Sequence, residues 1–279
     1  MQTVRNIRQQ VTETMGSARD ARVLLSLMLD CMPAALSMQA DLEVPSVDAE
    51  RILDAAKRAK RGEPLAYCAG RAAFRNLVLD VDQRVLIPRP ETEILVDVLL
   101  RVLGDGPGGT AIDIGTGSGA IALALATESR LDRVIATDIS RDALDVAEAN
   151  YRRLASPGAI VEFRHGASLA PVQGERARVL ASNPPYIAYR EAVDLDRSVR
   201  DWEPPMALFA DAEGMAMYET LLAGAPKVLE RAGWVVLEVD ARRAEATAAC
   251  AEQTGNYSSV ELVPDLTGRQ RVLVAQVAD

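Results

Sequence analysis

The tetrapeptide Asn183-Pro184-Pro185-Tyr186, here called the amide clamp, is the stretch whose residue types point most directly to chemistry. The two prolines remove two N–H donors and stiffen the backbone, and Pro184 favours an extended conformation for Asn183. We expect an NH2 group of a ligand to donate one hydrogen bond to the Asn183 side chain and another to the Pro184 carbonyl. The ring of Tyr186 offers a flat face for stacking. These features predict a site that aims a weakly nucleophilic amide or exocyclic amine at an electrophile.

A second run with functional character, Asp113-Ile114-Gly115-Thr116-Gly117-Ser118-Gly119, follows a short apolar strand and precedes an apolar helix start. Its three glycines allow the backbone to turn tightly and to approach a ligand closely. Asp138 ends the next predicted strand, where a carboxylate is able to accept hydrogen bonds from both hydroxyls of a ribose. Together these residues predict a nucleoside-binding site at the carboxyl ends of neighbouring strands.

The glycine pattern alone also satisfies the dinucleotide-binding fingerprint, so a nicotinamide cofactor is an alternative. Hydride transfer ordinarily needs a proton donor or acceptor such as His, Lys or Tyr beside the nicotinamide. The fourth predicted strand ends instead in the amide clamp, and the single histidine of the chain, His165, lies elsewhere. S-adenosylmethionine carries its own reactive methyl group on a positively charged sulfur and needs only a nucleophile held in line. The combination of motifs therefore favours S-adenosylmethionine.

Composition narrows the function further. The 279 residues are 49% hydrophobic and 25% charged, as in an ordinary soluble protein. The net charge of -9 argues against direct nucleic-acid binding, which depends on clustered Lys and Arg. Three separated cysteines and one histidine support neither a disulfide framework nor a metal site. The N-terminus lacks a signal-peptide pattern and no apolar run is long enough to span a membrane, so we expect a cytoplasmic protein without a membrane partner.

Hydrophobic periodicity predicts an α/β fold with three regions. Residues 1–62 are expected to form a small N-terminal bundle with helices only, and residues 63–90 a linker that contains a β-hairpin. Residues 91–279 alternate between strands and helices, which predicts a Rossmann-like, mostly parallel sheet with an antiparallel C-terminal hairpin. Seven strands are expected, at 111–114, 134–137, 160–163, 179–181, 234–239, 259–263 and 272–277. Helices are expected near 118–128, 140–153, 214–231 and 241–253.

The segment Pro88-Arg89-Pro90-Glu91 marks the start of a helix that precedes the predicted sheet. Proline is favoured at the first helical position, and the helix dipole favours an acidic residue such as Glu91 in the first turn. Capping does not require Arg89, so we expect Arg89 and Glu91 to lie at an edge that faces the substrate.

With these motifs assembled, the chain resembles the peptide chain release factor N5-glutamine methyltransferases, the HemK/PrmC family, over essentially its whole length. The resemblance is carried by Gly62-Glu63-Pro64-Leu65, Leu86-Ile87-Pro88-Arg89-Pro90-Glu91-Thr92-Glu93, Ser182-Asn183-Pro184-Pro185-Tyr186-Ile187, Glu203-Pro204 and Gly268-x-x-Arg271. The segment 87–93 discriminates best, because related enzymes that methylate ribosomal protein L3 share the amide clamp but differ there.

The resemblance implies that the glutamine amide of a release factor's Gly-Gly-Gln loop enters the amide clamp and is methylated from S-adenosylmethionine. The helical bundle would help to dock the release factor. The implied catalytic residues are Asn183, Pro184 and Tyr186. The implied cofactor-binding residues are Asp113, Gly115, Thr116, Gly117, Ser118, Gly119, Asp138, Ala167 and Asn183. The implied substrate-binding residues are Asn183, Pro184, Pro185, Tyr186, Arg89 and Glu91.

The chain departs from the family pattern at two places. Gly166-Ala167-Ser168 stands where the family often has an acidic residue and an aromatic near the adenine, and Glu238-Val239-Asp240 replaces a more usual Glu-x-Gly. Alternatives are an adenine-N6 methyltransferase of DNA or RNA, a methyltransferase of a ribosomal protein glutamine, or a binding scaffold without turnover. The acidic composition and the 4% aromatic content count against a nucleic-acid substrate.

Overall fold

The computed structural model describes residues 2–106, 108–154 and 158–279 and begins with a helical bundle. The bundle helices are α1 Val4–Met15, α2 Ala18–Met28, α3 Ala35–Met38, α4 Ser46–Lys60 and α5 Leu65–Ala69. The Thr3 side chain caps α1 by accepting from the backbone N–H of Asn6, and the Ser17 side chain caps α2 in the same way. Ile7, Leu24 and Ile52 form part of a common buried core. The bundle therefore has its own hydrophobic centre.

The prediction that residues 1–62 form helices only is wrong in one detail. Two strands of two residues, β1 Gln2–Thr3 and β2 Glu43–Val44, pair antiparallel across the bundle. Strands this short contain too few residues to show the alternating pattern by which a strand is detected in a sequence.

A β-hairpin follows the bundle, as predicted for this part of the chain. Its strands are β3 Arg71–Phe74 and β4 Leu77–Asp80, paired antiparallel with Phe74 opposite Leu77. Phe74, Leu77 and Leu79 are buried in the core shared with the main sheet. Leu77 and Leu79 are alternate residues of β4 and therefore point to the same face. The hairpin is therefore packed against the second part of the molecule.

The second part alternates between helices and strands up to its last two strands. Its helices are α6 Pro90–Leu103, α7 Ala120–Glu128, α8 Arg141–Arg153, α9 Arg197–Arg200, α10 Pro205–Leu208, α11 Ala216–Gly224 and α12 Ala244–Thr254. Its strands are β5 Thr110–Ile114, β6 Arg133–Asp138, β7 Ile160–His165, β8 Ala177–Ser182, β9 Leu229–Glu238, β10 Tyr257–Pro264 and β11 Gln270–Val277. None of the helices within the described ranges is both long and apolar enough to cross a bilayer.

The seven strands form one sheet in the order β10-β11-β9-β8-β5-β6-β7. The five strands from β9 to β7 in this order are parallel to their neighbours, while β11 pairs antiparallel with both β9 and β10. This confirms the predicted Rossmann-like fold class with its antiparallel hairpin at the C-terminus. From β5, the next two strands β6 and β7 are added one after the other towards one edge of the sheet. Strand β8 then pairs with β5 on its other side.

Both faces of the sheet are covered by helices. One face packs against α6 and α7, with Leu95, Leu99 and Leu123 fully buried. The other face packs against α11 and α12, where Tyr218 and Leu221 are fully buried. Burial on both faces explains why the parallel strands are nearly continuous apolar runs in the sequence.

The predicted helix at 214–231 is too long. Helix α11 ends at Gly224, a 3-10 turn spans Ala225–Lys227, and β9 begins at Leu229. Pro226 lacks an N–H donor and therefore cannot continue an α-helix, and pairing with β8 then stabilises the extended conformation. The four short helical elements between β8 and α11 were not predicted from the sequence, because such short elements show no periodicity. They are α9, α10 and the 3-10 turns Tyr189–Asp194 and Ala212–Gly214.

Candidate active site

The predicted site residues converge at the carboxyl-terminal edge of the parallel sheet. Strands β8, β5 and β6 are neighbours, and their last residues are Ser182, Ile114 and Asp138. The chain order reverses between β5 and β8, and ligands of open α/β sheets bind in the crevice that such a reversal creates. The loop Gly115–Gly119, here called the glycine loop, and the amide clamp both start at this reversal.

A cavity of about 460 Å³ opens at this edge, a volume typical of sites for small ligands. Of the predicted residues, Gly115, Gly117, Asp138, Ala167, Asn183 and Pro185 line it. A larger and more open depression of about 790 Å³ lies beside Arg176 and Leu229, at the amino ends of β8 and β9. We assign the ligand site to the first cavity, because it holds the predicted residues and lies at the carboxyl ends of the strands.

The glycine loop is held tightly against β6. The backbone nitrogens of Gly115 and Thr116 both donate to the carbonyl oxygen of Thr137 at 2.9 Å. Gly115 and Gly117 have φ angles of 74° and 55°, in the left-handed region that favours glycine. At Gly119, a Cβ atom would approach a side-chain carbon of Leu123 to 3.1 Å. The sequence requirement for glycine here therefore has both a conformational and a packing cause.

Asp113 lies beneath the glycine loop and is fully buried. Its Oδ2 accepts hydrogen bonds from the Thr116 hydroxyl at 2.7 Å and from the backbone N–H of Ala122 at 3.2 Å. Burial raises the pKa of Asp113 to about 7, and these two hydrogen bonds oppose the rise. Asp113 joins the loop to the first turn of α7 and does not line the cavity. Its direct contact with a cofactor, like that of Thr116, Ser118 and Gly119, stays a prediction.

Asp138 presents a carboxylate to the cavity at the end of β6. Its Oδ2 accepts from the backbone N–H of Gly117 at 3.0 Å, and its Oδ1 accepts from that of Ser140 at 2.9 Å. Burial raises the pKa of this carboxyl group, and the backbone hydrogen bonds oppose the rise. Each carboxylate oxygen accepts more than one hydrogen bond. Asp138 is therefore fixed in place with acceptor capacity left for a pair of neighbouring hydroxyls.

The buried hydroxyls in the cavity wall test whether a nucleoside fits. Thr137 Oγ1 and Ser168 Oγ are both buried, both residues line the cavity, and neither atom has a hydrogen-bond partner within the described ranges. Buried polar atoms are nearly always satisfied, so two unpartnered hydroxyls on residues that line one cavity are compatible with a polar ligand there. Together with Asp138, these hydroxyls suit the sugar and base of S-adenosylmethionine. Ser168 follows Ala167, in the segment where the sequence departs from the pattern of the family that it resembles.

The amide clamp directly follows β8, and the side chain of its first residue, Asn183, is fixed by a hydrogen bond. Asn183 Nδ2 donates to Thr92 Oγ1 at 3.1 Å, and the Thr92 hydroxyl donates to Glu238 Oε2 at 2.6 Å. Pro184 is buried, and Pro185 faces the cavity. Tyr186 is half-buried against the core on the α11 side. Burial raises the pKa of Tyr186, which keeps its hydroxyl protonated. The stacking role of Tyr186 stays a prediction.

Arg89 is engaged with a protein carboxylate. Its guanidinium donates to Glu203 Oε1 at 2.5 Å, and the backbone N–H of Ile87 donates to Glu203 Oε2 at 3.3 Å. The Glu203 side chain is only 1% exposed, and burial raises its pKa while Arg89 opposes the rise. The pair fixes the segment before α6 to the segment before α10. Neither Arg89 nor Glu91 lines the cavity, so their contact with a substrate stays a prediction.

Sequence reasoning missed several residues of the site. Glu238 was noted only as part of a departure from the family pattern, and the hydroxyl of Thr92 was not singled out. The only signal for Glu238 was a carboxylate directly after the apolar run 234–237. The cavity wall also includes Gln83, Arg84, Val85, Leu86, Pro204, Met206, Ala207 and Met217. Within the described ranges, no cluster of His, Cys, Asp or Glu side chains is arranged to hold a metal ion.

Comparison with known protein families agrees with this fold and site. A family model described as the methyltransferase small domain matches residues 91–198, which contain the glycine loop, Asp138 and the amide clamp. A second model, the PrmC N-terminal domain, matches residues 2–70. The fold, the cavity and these matches define the chain as an S-adenosylmethionine-dependent methyltransferase.

Individual relatives narrow the class to a family. The chain is 38% identical over 259 residues to the release factor glutamine methyltransferase of Xylella fastidiosa, covering 92% of each chain. It is 37% identical over 256 residues to that of Moorella thermoacetica, covering 92% of this chain and 90% of the relative. The chain belongs to the family of release factor glutamine methyltransferases. A methyltransferase structure from Pyrococcus furiosus, 20% identical, shares the fold with a TM-score of 0.55 over 84% of this chain and 100% of that one.

Proposed function

We propose that the protein methylates the side-chain amide nitrogen of the glutamine in the Gly-Gly-Gln loop of peptide chain release factors. The observation that carries the proposal is the state of Asn183. Its Nδ2 is engaged by Thr92, and its Oδ1 accepts no hydrogen bond within the described part of the chain. An acceptor held in this way at the cavity suits an NH2 group, which is the reacting group of glutamine.

The cofactor side of the cavity supports S-adenosylmethionine. Gly115 and Gly117 would hold its methionine part and Asp138 the ribose hydroxyls, while the wall at Ala167 and Ser168 would hold the adenine. When bound, S-adenosylmethionine supplies a methyl group on a positively charged sulfur, an electrophile that needs no metal or redox partner. The task left to the protein is to bind and orient the nucleophile.

The amide clamp performs this orientation in the proposed reaction. The lone pair of an amide nitrogen is delocalised into its carbonyl, so the free amide is a poor nucleophile. Acceptors at Asn183 Oδ1 and the Pro184 carbonyl draw on the two N–H bonds and return electron density to the nitrogen. Tyr186 supplies a wall on which the planar amide stacks. The nitrogen releases one proton during or after transfer, and positioning supplies most of the rate enhancement.

The remaining parts of the chain are assigned to docking and support. We assign the helical bundle, predicted at 1–62 and extended by α5 to Ala69, to binding the body of the release factor. The rest of the predicted linker 63–90, which contains the hairpin, is assigned to linking, and residues 91–279 to cofactor and amide binding. Arg89 and Glu91 would contact the substrate loop where it enters. The net charge of -9 suits a protein substrate better than a nucleic acid. We propose a cytoplasmic location, where thiols such as those of the three cysteines are kept reduced.

Transfer of a labelled methyl group tests the proposed function. The purified protein is incubated with labelled S-adenosylmethionine and a bacterial release factor, beside a copy of that factor whose loop glutamine is replaced by alanine. We expect label on the first factor and none on the second. Label on neither factor, or label on DNA, RNA or ribosomal protein in parallel reactions, would refute the proposed substrate.

A further inference from the structure

Three side chains from distant parts of the sequence form a hydrogen-bonded chain that ends at the cavity. Asn183 leaves the end of β8, Thr92 lies in the first turn of α6, and Glu238 ends β9. The two hydrogen bonds measure 3.1 Å from Asn183 to Thr92 and 2.6 Å from Thr92 to Glu238. Thr92 and Glu238 are 4% and 2% exposed, so water competes little for these bonds. The chain is therefore a buried support behind the amide clamp.

The chemistry of the three groups determines which of them donates and which accepts in each hydrogen bond. An ionised carboxylate only accepts hydrogen bonds, so the single hydroxyl proton of Thr92 points to Glu238. Thr92 Oγ1 then has only lone pairs to offer to Asn183. A side-chain amide meets such an acceptor with its NH2 group, which turns the amide oxygen the other way. The charge on Glu238 thus determines which end of the Asn183 amide faces the cavity.

We propose that Thr92 and Glu238 are positioning residues that hold the Asn183 oxygen towards the cavity, so that the site selects a ligand group that donates hydrogen bonds. The identity of that group as a glutamine amide rests on the proposed function. A reversed Asn183 amide would present its own NH2 group to the substrate NH2 group, and two donors do not bind each other. Positioning of this kind acts on the orientation of the nucleophile more than on cofactor binding.

Several charged or titratable groups influence Glu238. They lie on different elements, with Arg271 on β11, Arg89 and Glu91 at the start of α6, Tyr186 in the amide clamp and Tyr218 on α11. Burial raises the pKa of Glu238 to about 7, whereas the hydrogen bond from Thr92 and the charge of Arg271 oppose the rise. Above this pH the ionised carboxylate fixes the direction in which Thr92 and Asn183 donate their hydrogen bonds. Below it, a protonated Glu238 is able to donate to Thr92, and the direction is no longer fixed.

Kinetics of three variants test the inference against a merely structural role. We expect Thr92→Val, which removes only the hydroxyl, to lower kcat for the release factor by about 10- to 100-fold with cofactor Kd nearly unchanged. Thr92→Ser keeps the hydroxyl and should recover kcat to within about threefold of wild type. Thr254→Val is the matched control. The Thr254 hydroxyl donates to the carbonyl of Ala251 at the end of α12, away from the carboxyl-terminal edge of the sheet that holds the cavity. A Thr92→Ser variant as slow as Thr92→Val, or a Thr92→Val variant with wild-type kcat, would overturn the inference.

A spectroscopic test needs no methyl transfer and so separates this inference from the proposed function. The side-chain amide signal of Asn183 in a ¹⁵N–¹H spectrum is assigned by its loss in Asn183→Ala. We expect its shift to titrate with a midpoint near pH 7 in the wild type and to lose that titration in Glu238→Gln and in Thr92→Val. A signal that does not titrate in the wild type, or that titrates equally in the variants, would overturn the inference. Absence of methyl transfer by the wild type would count against the proposed substrate only.

Discussion

Asp138 Oδ2 lies 3.0 Å from the backbone nitrogen of Gly117, so the end of β6 and the glycine loop hold each other in place at the cavity wall. Asp138 as a residue is 9% exposed, and it lines the cavity. This contact gives the glycine loop an anion at the position where the ribose of the cofactor is expected. It also means that the loop and the ribose-binding group form one unit.

We predict that Asp138→Ala weakens binding of S-adenosylmethionine by roughly 1–3 kcal/mol, or about 5- to 150-fold in Kd, because charge-assisted hydrogen bonds are lost. Titration calorimetry measures this directly. Asp145→Ala, which removes an exposed carboxylate from the neighbouring helix α8, is the control and should leave Kd unchanged. An unaltered Kd in Asp138→Ala would rule out the ribose role.

Thr137→Val should change stability and cofactor binding in opposite senses. Thr137 Oγ1 is buried at the cavity without a partner in the described part of the chain, so removing it from the free protein should raise the free energy of unfolding by about 1 kcal/mol. If the hydroxyl bonds the cofactor, Kd should rise several-fold at the same time. Chemical unfolding and calorimetry provide the two values. Thr127→Val, whose hydroxyl is satisfied by Leu123, serves as control. A stabilised variant with wild-type Kd would show that this hydroxyl does not contact the cofactor.

Asp113 should make the protein less stable as pH rises from about 4 to 7. Its folded pKa of about 7 lies above the ordinary value of 3.8, so the folded state binds the extra proton in this range. The free energy of unfolding therefore contains a contribution that is complete below pH 4 and lost as pH rises through 7. We expect Asp113→Asn to remove this part of the pH dependence in urea titrations at pH 5 and pH 8. The same change in the free energy of unfolding between pH 5 and pH 8 in the variant and in the wild type would contradict the shifted pKa.

Asn183→Ala should separate catalysis from cofactor binding. Removing one oriented acceptor from the reacting group should lower kcat by about 10²- to 10³-fold, in line with the loss of a transition-state hydrogen bond. Binding of S-adenosylmethionine should stay nearly unchanged, because the ribose and adenine walls are intact. The kcat of methyl transfer is measured in quenched time-point assays and the Kd of S-adenosylmethionine by calorimetry, for variant and wild type. An equally large loss of cofactor affinity would move Asn183 from the substrate side to the cofactor side of the cavity.

The part of the site that was predictable from sequence is the part formed by local motifs. The glycine loop joins β5 to α7 within a few residues, and Asp138 and Asn183 each follow directly from an apolar strand. Parallel strands place their carboxyl ends together, so three separate motifs define one edge of a sheet. The alternation of strands and helices predicted the fold class for the same reason.

The hydrogen bonds behind the amide clamp were not predictable, because they depend on tertiary packing alone. Thr92 and Glu238 are 146 positions apart and meet only when α6 packs across the end of β9. Arg89 was expected at a substrate edge, but its strongest contact is with Glu203, 114 positions away. The overlong helix at 214–231 has a similar cause, since pairing with β8 overrides the local helical pattern at Leu229.

Mass spectrometry of the methylated release factor tests the central claim most directly. The factor is incubated with the protein and S-adenosylmethionine, digested, and the peptide that contains the Gly-Gly-Gln loop is fragmented. The account predicts one added methyl group on the side-chain amide of that glutamine, formed by the wild type and strongly reduced in Asn183→Ala. A methyl group on any other residue, or an unmodified loop beside a protein that binds S-adenosylmethionine, would contradict it.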